Sequence, residues 1–143
     1  MTVSIILAGK GRDVLTIEPN ATLADAVNLL AEKRIGALVI LGADRRIVGI
    51  LSERDIVRVL GERGATVLEE PVSQVMTRKV VTCKETDTVA ELMEMMTKGK
   101  FRHLPVVDSG KVVGLISIGD IVKRRVQEYE SEQEALRDYI KTA

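Results

Sequence analysis

The sequence predicts an α/β (α+β) fold made of two pseudo-symmetric β-α-β-β-α repeats that pack against each other through their sheets. The first observation is an internal repeat, because residues 16–41 align with residues 82–107 at an offset of 66. The second is a closer match between residues 47–57 and residues 112–122, which share six identities in eleven positions. The third is physical: a three-stranded sheet with helices on one side leaves an apolar face uncovered, and a second copy can cover it.

Each repeat is predicted to begin with a short β-branched strand, VLTI in the first copy and VVTC in the second. Thr22 and Thr88 then start helices, because each is followed three positions later by an acidic residue that completes a capping box. Apolar residues follow at helical spacing, namely Leu23, Ala26, Val27 and Leu30 in the first copy and Val89, Leu92, Met93 and Met96 in the second.

Two apolar strands come next in each copy, ALVIL and IVGIL in the first and HLPVV and VVGLI in the second. Ser52 and Ser117 end the later strands and are predicted to cap the final helices, with Asp55 and Asp120 three residues further on. The predicted parts of the chain are a first repeat, a connector, a second repeat and a helical tail, at residues 10–67, 68–75, 76–132 and 133–143.

Two short segments lie outside these repeats. VSQVM in the connector predicts a short helix, and VSIIL at residues 3–7 resembles its counterpart before the first repeat.

Composition limits the classes of function. Twenty-one basic and twenty-one acidic side chains cancel, and with three aromatic residues no nucleic-acid partner is expected. SIILAG at residues 4–9 is too short for a membrane span or a signal-peptide core, so no membrane partner is expected either. Cys83 is the only cysteine, which fits a reducing cytoplasm and is more typical of a small buried apolar residue than of a redox sensor.

The motifs GILSERD at residues 49–55 and GLISIGD at residues 114–120 combine three useful groups. Glycine lets a ligand approach the backbone, serine stands beside the free N–H groups of a helix start, and aspartate can accept hydrogen bonds from a sugar diol. Together these groups suit a ribonucleotide monophosphate. A plain helix cap explains the same residues, and duplication copies a cap as readily as a site, so both interpretations stay open.

Catalysis and metal binding are not predicted. His103 is the only histidine and Cys83 the only cysteine, so the parts of a nucleophile, base and orienting group are missing. His103 alone does not make a metal site, and it is equally consistent with a neutral polar residue at a strand edge.

The chain resembles a tandem pair of cystathionine β-synthase (CBS) domains, the Bateman module, and is most similar to free-standing bacterial proteins with one such pair. The likeness rests on VLTIEPNATLADAVNLLAEKRIGALVIL with IVGILSERDIV, and on VVTCKETDTVAELMEMMTKGKFRHLPVVD with KVVGLISIGDIV. Both copies carry the glycine, serine and aspartate pattern of the family, and RHLPVVD is a second hallmark found only in the second copy.

The resemblance implies that an adenosine-containing ligand (AMP, ADP, ATP, S-adenosylmethionine or an NAD(H)-type dinucleotide) binds between the repeats, with no obligatory cofactor. It implies that Ser117 meets phosphate and Asp120 the ribose, while residues 81–83 and 102–105 frame the adenine. The second-copy candidates are therefore Thr82, Cys83, Arg102, His103, Leu104, Pro105, Ser117, Gly119 and Asp120. The first-copy candidates are Thr16, Ile17, Gly36, Ala37, Leu38, Ser52, Arg54 and Asp55.

The two clefts differ in their polar groups. Arg102 and His103 stand where the first copy has small residues, so the second cleft is expected to bind more tightly. Arg54 stands where the second copy has Gly119, which gives the first cleft a phosphate partner of its own.

The predicted function is a ligand-sensing regulatory module that reports nucleotide binding to a regulated protein partner. The alternatives are a constitutive scaffold with vestigial clefts, a nucleotide-processing enzyme, and a sensor of S-adenosylmethionine, which ranks lower because that ligand has no phosphate. An apolar row predicts a homodimer, a flat disk with four clefts. Its residues are Val122, Val126, Tyr129, Leu136 and Ile140, interrupted by Glu132 and Gln133.

Overall fold

The computed structural model describes residues 1–142 of the chain. Its α-helices are α1 (Val3–Lys10), α2 (Leu23–Lys33), α3 (Glu53–Arg63), α4 (Val89–Gly99) and α5 (Ile118–Thr142). Its strands are β1 (Thr16–Ile17), β2 (Ala37–Leu41), β3 (Ile47–Ser52), β4 (His103–Asp108) and β5 (Lys111–Ser117). Single turns of 3₁₀ helix span Ala43–Arg45, Ala65–Glu69 and Val72–Gln74.

The strands form two small sheets. β1 pairs parallel with β2, and β2 pairs antiparallel with β3, while β4 pairs antiparallel with β5. The fold class predicted from the repeat is therefore confirmed, and the predicted order of elements is complete in the first repeat.

The first strand of the second repeat is shorter than predicted. In the first repeat the N–H of Val39 donates to the carbonyl of Leu15 at 3.3 Å. The equivalent of Val39 is Pro105, which has no N–H to donate, so the carbonyl of Val81 loses this bond. Pairing is left to Cys83, which forms one isolated parallel bridge to β4.

The helix caps form as predicted. The hydroxyl of Thr22 accepts from the N–H of Asp25 at 3.1 Å, and that of Thr88 accepts from the N–H of Glu91 at 3.1 Å. The predicted apolar rows are mostly buried, although Met93 is 38% exposed. The buried members of the two rows are Leu23, Ala26, Leu30, Val89, Leu92 and Met96.

Two separate cores fill the molecule. The first consists of buried residues from repeat 1 and from the connector after α3, including Val67 and Val72. The second consists of buried residues from repeat 2 and from α1, including Val3 and Leu7. The segment before each repeat therefore covers the other repeat.

Backbone hydrogen bonds fix both covering segments. The N–H of Val3 donates to the carbonyl of Asp87 at 2.9 Å, which ties α1 to repeat 2. The N–H of Leu23 donates to the carbonyl of Glu70 at 2.8 Å, which ties the connector to repeat 1. The predicted short helix in VSQVM is the 3₁₀ turn at Val72–Gln74, and residues 3–7 lie within α1.

The last helix, α5, runs without interruption from the end of repeat 2 through the predicted tail as far as Thr142. Its 25 residues make it about 37 Å long. Ile121 is its one buried residue within the described chain. None of the helices in residues 1–142 has the length and apolar character needed to cross a membrane.

Candidate functional site

A cavity of about 600 Å³ lies between the two repeats. One wall comes from repeat 1, where β3 ends and α3 begins, and includes residues between Ile50 and Arg58. The other wall comes from the chain entering repeat 2 and from the start of β4, with residues between Thr77 and His103. This volume lies within the usual range for small-molecule sites, roughly 300–1,000 Å³.

The cavity lining combines basic side chains with apolar ones. Its basic side chains are Arg54, Arg58, Lys79, Lys100 and Arg102, and its acidic side chains are Glu53 and Asp55. Its larger apolar side chains are Ile50, Val80, Val81 and Phe101. A ligand with an anionic end and a flat apolar body matches this distribution.

Ser52 and Asp55 form a reciprocal cap at the start of α3. The N–H of Ser52 donates to Oδ2 of Asp55 at 3.0 Å, and the N–H of Asp55 donates to Oγ of Ser52 at 3.2 Å. The N–H of Glu53 also donates, to the carbonyl of Gly36 at 3.0 Å. Two of the first three amides of α3 are thus already used, so basic side chains supply much of the positive charge here.

One carboxylate oxygen of Asp55 can still accept a hydrogen bond from a ligand. Its Oδ2 accepts from both the N–H and the Oγ of Ser52, each at 3.0 Å. Its Oδ1 faces Nη1 of Arg58 at 3.4 Å. An incoming hydroxyl can therefore donate to Oδ1 without breaking the helix cap.

The structure brings candidate residues of both repeats together in one cavity. Arg102 and His103 line it with Ser52, Arg54 and Asp55 of the first motif, while the carbonyl of Arg102 also accepts from the N–H of Ile118 in the second motif at 2.8 Å. The reason is a two-way backbone bond between β3 and the chain entering repeat 2. The N–H of Ile50 donates to the carbonyl of Thr77 at 3.0 Å, and the N–H of Thr77 donates to the carbonyl of Ile50 at 2.9 Å.

His103 sits where the two repeats meet. A Cβ added at Gly36 would lie 3.1 Å from Nε2 of His103, so the absence of a side chain there makes room for the imidazole. Burial lowers the pKa of His103, and the carboxylates of Glu53 and Asp120 oppose this only in part. The imidazole is therefore neutral at pH 7.

The second motif has the same cap but a different neighbour. The N–H of Ser117 donates to Oδ2 of Asp120 at 2.8 Å, and the N–H of Asp120 donates to Oγ of Ser117 at 3.1 Å. Nζ of Lys10 then donates to the same Oδ2 at 2.6 Å and to the carbonyl of Leu115 at 2.7 Å. The carboxylate that would face a ribose is thus already bound by the end of α1.

The charge of Asp120 follows from these contacts. Burial acts to raise the pKa of its carboxyl, but hydrogen bonds from Lys10 and Ser117 and the charge of Lys10 more than offset this. The net pKa of Asp120 lies below its ordinary value. Lys10 could not be found from the repeat, because it lies before the aligned residues. Its equivalent at the offset of 66 is also a different kind of residue, the apolar Met76.

Several other candidates lie outside the cavity lining. Cys83 and Leu104 belong to the second core, and the N–H of Cys83 donates to the carbonyl of Pro105 at 2.9 Å. Thr82 and Cys83 border a separate, more open cavity of about 650 Å³ formed with residues 84–87 and 107–110. Burial raises the pKa of Cys83 to about 12, so its thiol is inert, in agreement with its interpretation as an apolar residue.

The first-copy candidates before α3 are mainly structural. Ala37 and Leu38 are buried in β2, and Thr16 and Ile17 form β1, with Ile17 packed on the first core. Gly119 is exposed in the first turn of α5, where an added Cβ would lie 3.5 Å from Oγ of Ser117.

The motif glycines have a packing role that differs from the one expected. A Cβ at Gly49 would collide with the side chain of Met76 in the connector, and one at Gly114 would come within 2.7 Å of Leu7 in α1. Each glycine therefore makes room for the segment that covers its sheet, and ligand approach is not needed to explain it. Across residues 1–142, no group of three or more His, Cys, Asp and Glu side chains is arranged to hold a metal ion.

Comparison with known proteins agrees with this architecture. A family model described as CBS domain matches residues 11–62 and again residues 72–127. The chain therefore belongs to the CBS domain family and carries the domain as a tandem pair.

Solved CBS structures share the fold over most of their length. A CBS-domain containing protein from Agrobacterium tumefaciens is 44% identical, with a TM-score of 0.84 over 87% of this chain and 92% of that one. A CBS domain protein from Pyrobaculum aerophilum, solved with AMP, is 31% identical, with a TM-score of 0.75 over 84% and 89%. The CBS domain pair of protein MJ0100, solved with 5′-methylthioadenosine and S-adenosylmethionine, is 26% identical, with a TM-score of 0.80 over 90% and 98%.

The chain does not span every relative. It covers 66% of the length of an uncharacterised protein from Acidianus ambivalens and 19% of a CBS domain-containing protein from Arabidopsis thaliana.

Proposed function

We propose that this chain is a ligand-sensing regulatory module that binds an adenosine nucleotide, with AMP as the first candidate, in the cavity between its repeats. The observation that carries the proposal is the lining of that cavity, in which the start of α3 shares the space with five basic side chains and with apolar ones. It is supported by the family relatives solved with AMP and with S-adenosylmethionine.

Each part of AMP has a counterpart in the cavity. The phosphate fits Arg54 and Arg102, because charge-assisted hydrogen bonds to phosphate are the strongest available there. It also fits the hydroxyl of Ser52, which would turn its proton from Oδ2 of Asp55 to the phosphate. The ribose diol fits Oδ1 of Asp55, which the helix cap leaves free to accept. The adenine fits the apolar wall, which includes Phe101.

The same lining ranks the other adenosine ligands. S-adenosylmethionine carries a sulfonium cation and no phosphate, so five basic side chains would repel part of it. ATP, ADP and NAD(H)-type dinucleotides carry phosphates and remain candidates. Part of each of these larger ligands would fit in the cavity of about 600 Å³. We therefore place phosphate-bearing ligands first.

The two motifs of one chain are proposed to be unequal. The first motif lines the cavity with the basic side chains, whereas no residue of the second motif lines it, and Nζ of Lys10 donates to Oδ2 of Asp120 at 2.6 Å. We therefore assign one nucleotide per chain, at the first motif, and this reverses the ranking expected from the sequence.

The module is proposed to act as a homodimer in the cytoplasm, with no catalytic activity of its own. Apolar side chains on α3 and α5 are exposed in the single chain, with Val57 at 70% and Val126 at 49%, and a second copy could cover them. Nucleotide binding would then change the packing of repeats or chains, and a regulated protein partner would read that change.

The experiment is a calorimetric titration of the chain with AMP, ATP, NADH, S-adenosylmethionine and adenosine side by side. The proposal expects AMP to bind at one per chain and more tightly than adenosine or S-adenosylmethionine. If none of these compounds binds or shifts the melting temperature, the sensor proposal fails and the constitutive scaffold replaces it. If S-adenosylmethionine binds more tightly than AMP, the phosphate assignment is wrong.

A further inference from the structure

From Val122 onwards, α5 presents an apolar row that no other part of the described chain covers. Beyond Ile121 every residue of this helix is at least partly exposed. The row has exposures of 54% at Val122, 49% at Val126, 62% at Tyr129, 54% at Leu136 and 64% at Ile140. Because most of the stability of a helix in a protein comes from packing its apolar face, the row calls for a covering surface.

The spacing of the row is that of a coiled coil. Residues 122, 126, 129, 133, 136 and 140 are separated by steps of four and three, which is a heptad pattern. Val126, Gln133 and Ile140 fall at a positions, and Val122, Tyr129 and Leu136 fall at d positions. Two of the three a residues are β-branched and one of the three d residues, Leu136, is leucine, and β-branched a residues with leucine at d favour two parallel strands. The polar a residue Gln133 meets its own copy only in a parallel, in-register pair.

The charges that flank the row fit one orientation. In a parallel, in-register pair each g residue faces the e residue five positions later in the other helix. Arg125 would then face Glu130, and Glu132 would face Arg137, so both kinds of contact are attractive. Each contact occurs twice by symmetry.

The antiparallel alternative is repulsive when it covers the same six positions. Pairing position 126 with position 136 would set Glu130 against its own copy, Glu132 against its own copy, and Lys123 against Arg137. Other antiparallel alignments relieve this repulsion only by leaving one end of the row uncovered. A membrane surface is also a poor partner, because α5 carries five basic and six acidic residues.

We propose that the part of α5 from Val122 to Thr142 pairs with the same segment of a second copy as a parallel, in-register, two-stranded coiled coil. This inference rests on the homodimer of the proposed function and does not depend on nucleotide binding. Two residues interrupt the apolar row. In the coiled coil, Glu132 lies on the flank of the interface, and Gln133 forms the one polar layer of its core.

Cysteine cross-linking of the full chain tests the orientation. Val126→Cys and Ile140→Cys are made separately, and Cys83 can stay because it is buried and its pKa is raised to about 12. A parallel pair expects each variant to form a disulfide with its own copy under mild oxidation. A disulfide that forms only when Val126→Cys is mixed with a third variant, Leu136→Cys, would show an antiparallel pair and overturn the proposal.

Sedimentation of the same samples separates the two proposals. A monomer at micromolar concentration would overturn both the homodimer and the coiled coil. A dimer in which none of the cysteine variants cross-links, alone or mixed, would overturn the coiled coil but not the homodimer. AMP titration of each variant reports separately on the nucleotide site.

Charge exchange gives a matched control in the Ile140→Cys background. Glu132→Arg would face Arg137 of the second helix, so disulfide formation should slow by about tenfold. Adding Arg137→Glu should restore the rate, while Asp138→Arg, the same charge change at an outward f position, should leave it unchanged. An equal effect of Glu132→Arg and Asp138→Arg would contradict the pairing. Circular dichroism checks that each variant remains helical.

Discussion

Ser52 and Ser117 occupy equivalent positions at the starts of α3 and α5, and each makes the same reciprocal cap with the aspartate three residues later. Only Ser52 lines the cavity with the basic side chains. The chain therefore contains its own control for the ambiguity between a helix cap and a nucleotide site, because the two serines share the first role and differ in the second.

Replacing each serine separates these roles. Ser52→Ala should weaken AMP binding by about 1–3 kcal/mol, since a hydrogen bond to a charged group is lost, and should weaken adenosine binding less. Ser117→Ala is the matched control, because it loses the same cap, about 1 kcal/mol of stability, without touching the cavity. Calorimetry and urea unfolding measure the two effects. Equal AMP affinity in both variants would reduce the motif to a helix cap.

Lys10 is the residue that makes the two motifs unequal. Lys10→Met should open the space beside Asp120, because the amine that now donates to its Oδ2 at 2.6 Å is gone, and the number of AMP molecules bound per chain should rise from one to two. Lys98→Met, which removes an exposed lysine paired only with Glu94 on α4, is the control. A stoichiometry of one in both variants would show that Lys10 does not close the second motif.

The same ion pair predicts a pH dependence of stability. The pKa of Asp120 is lowered in the folded chain, so its contribution is present above the unfolded pKa, about 3.9, and is lost as the pH falls through the folded value. The pair is partly exposed, so Lys10→Met should cost about 0.5–1 kcal/mol between pH 6 and pH 8. Urea unfolding should show the difference shrinking below about pH 4. A constant difference down to pH 2 would contradict this assignment.

At the scale of elements, α1 and the connector are equivalent pieces that differ in form. α1 is a regular helix of eight residues, whereas the connector uses two 3₁₀ turns. Both insert a flexible side chain, Leu7 or Met76, against a motif glycine on the neighbouring sheet. The glycines are therefore part of how the covering segments dock.

A single methyl group tests this docking. Gly114→Ala should cost about 1–3 kcal/mol of unfolding free energy, because its Cβ would come within 2.7 Å of Leu7 in a close-packed core. Gly9→Ala in α1 is the control, since an added Cβ there meets nothing within 4 Å, and removing a helical glycine should stabilise by about 0.5–1 kcal/mol. Chemical denaturation compares them. A neutral Gly114→Ala would mean that α1 shifts freely on the sheet.

For the whole molecule, the repeat predicts the content of each half but not how the halves interlock. The caps at Thr22 and Thr88 depend on residues three positions apart, and such local contacts are visible in the sequence. The contact of His103 with Gly36 joins residues of different repeats and depends on how the sheets pack. Sequence identity between copies carries no information about that packing.

Pro105 shows how a local feature can act at a distance from its own position. It removes one ladder bond, so the chain at Val80 and Val81 leaves the sheet and lines the cavity instead. The sequence contains this proline within RHLPVVD, yet its effect falls on the carbonyl of Val81, and that pairing becomes known only from the strand register.

The two walls of the cavity come from different repeats, and this predicts how ligand binding affects the whole chain. If AMP binds in the cavity, amide hydrogen exchange should slow in both repeats at once, at residues 50–55 and also at residues 79–81 and 102–104, because both walls contact the ligand. Ser52→Ala should reduce the protection of both walls together, and Ser117→Ala should leave it intact. Protection confined to residues 81–83, 102–105 and 117–120 would show instead that the nucleotide occupies a site built within the second repeat. That result would reverse the assignment of the cavity.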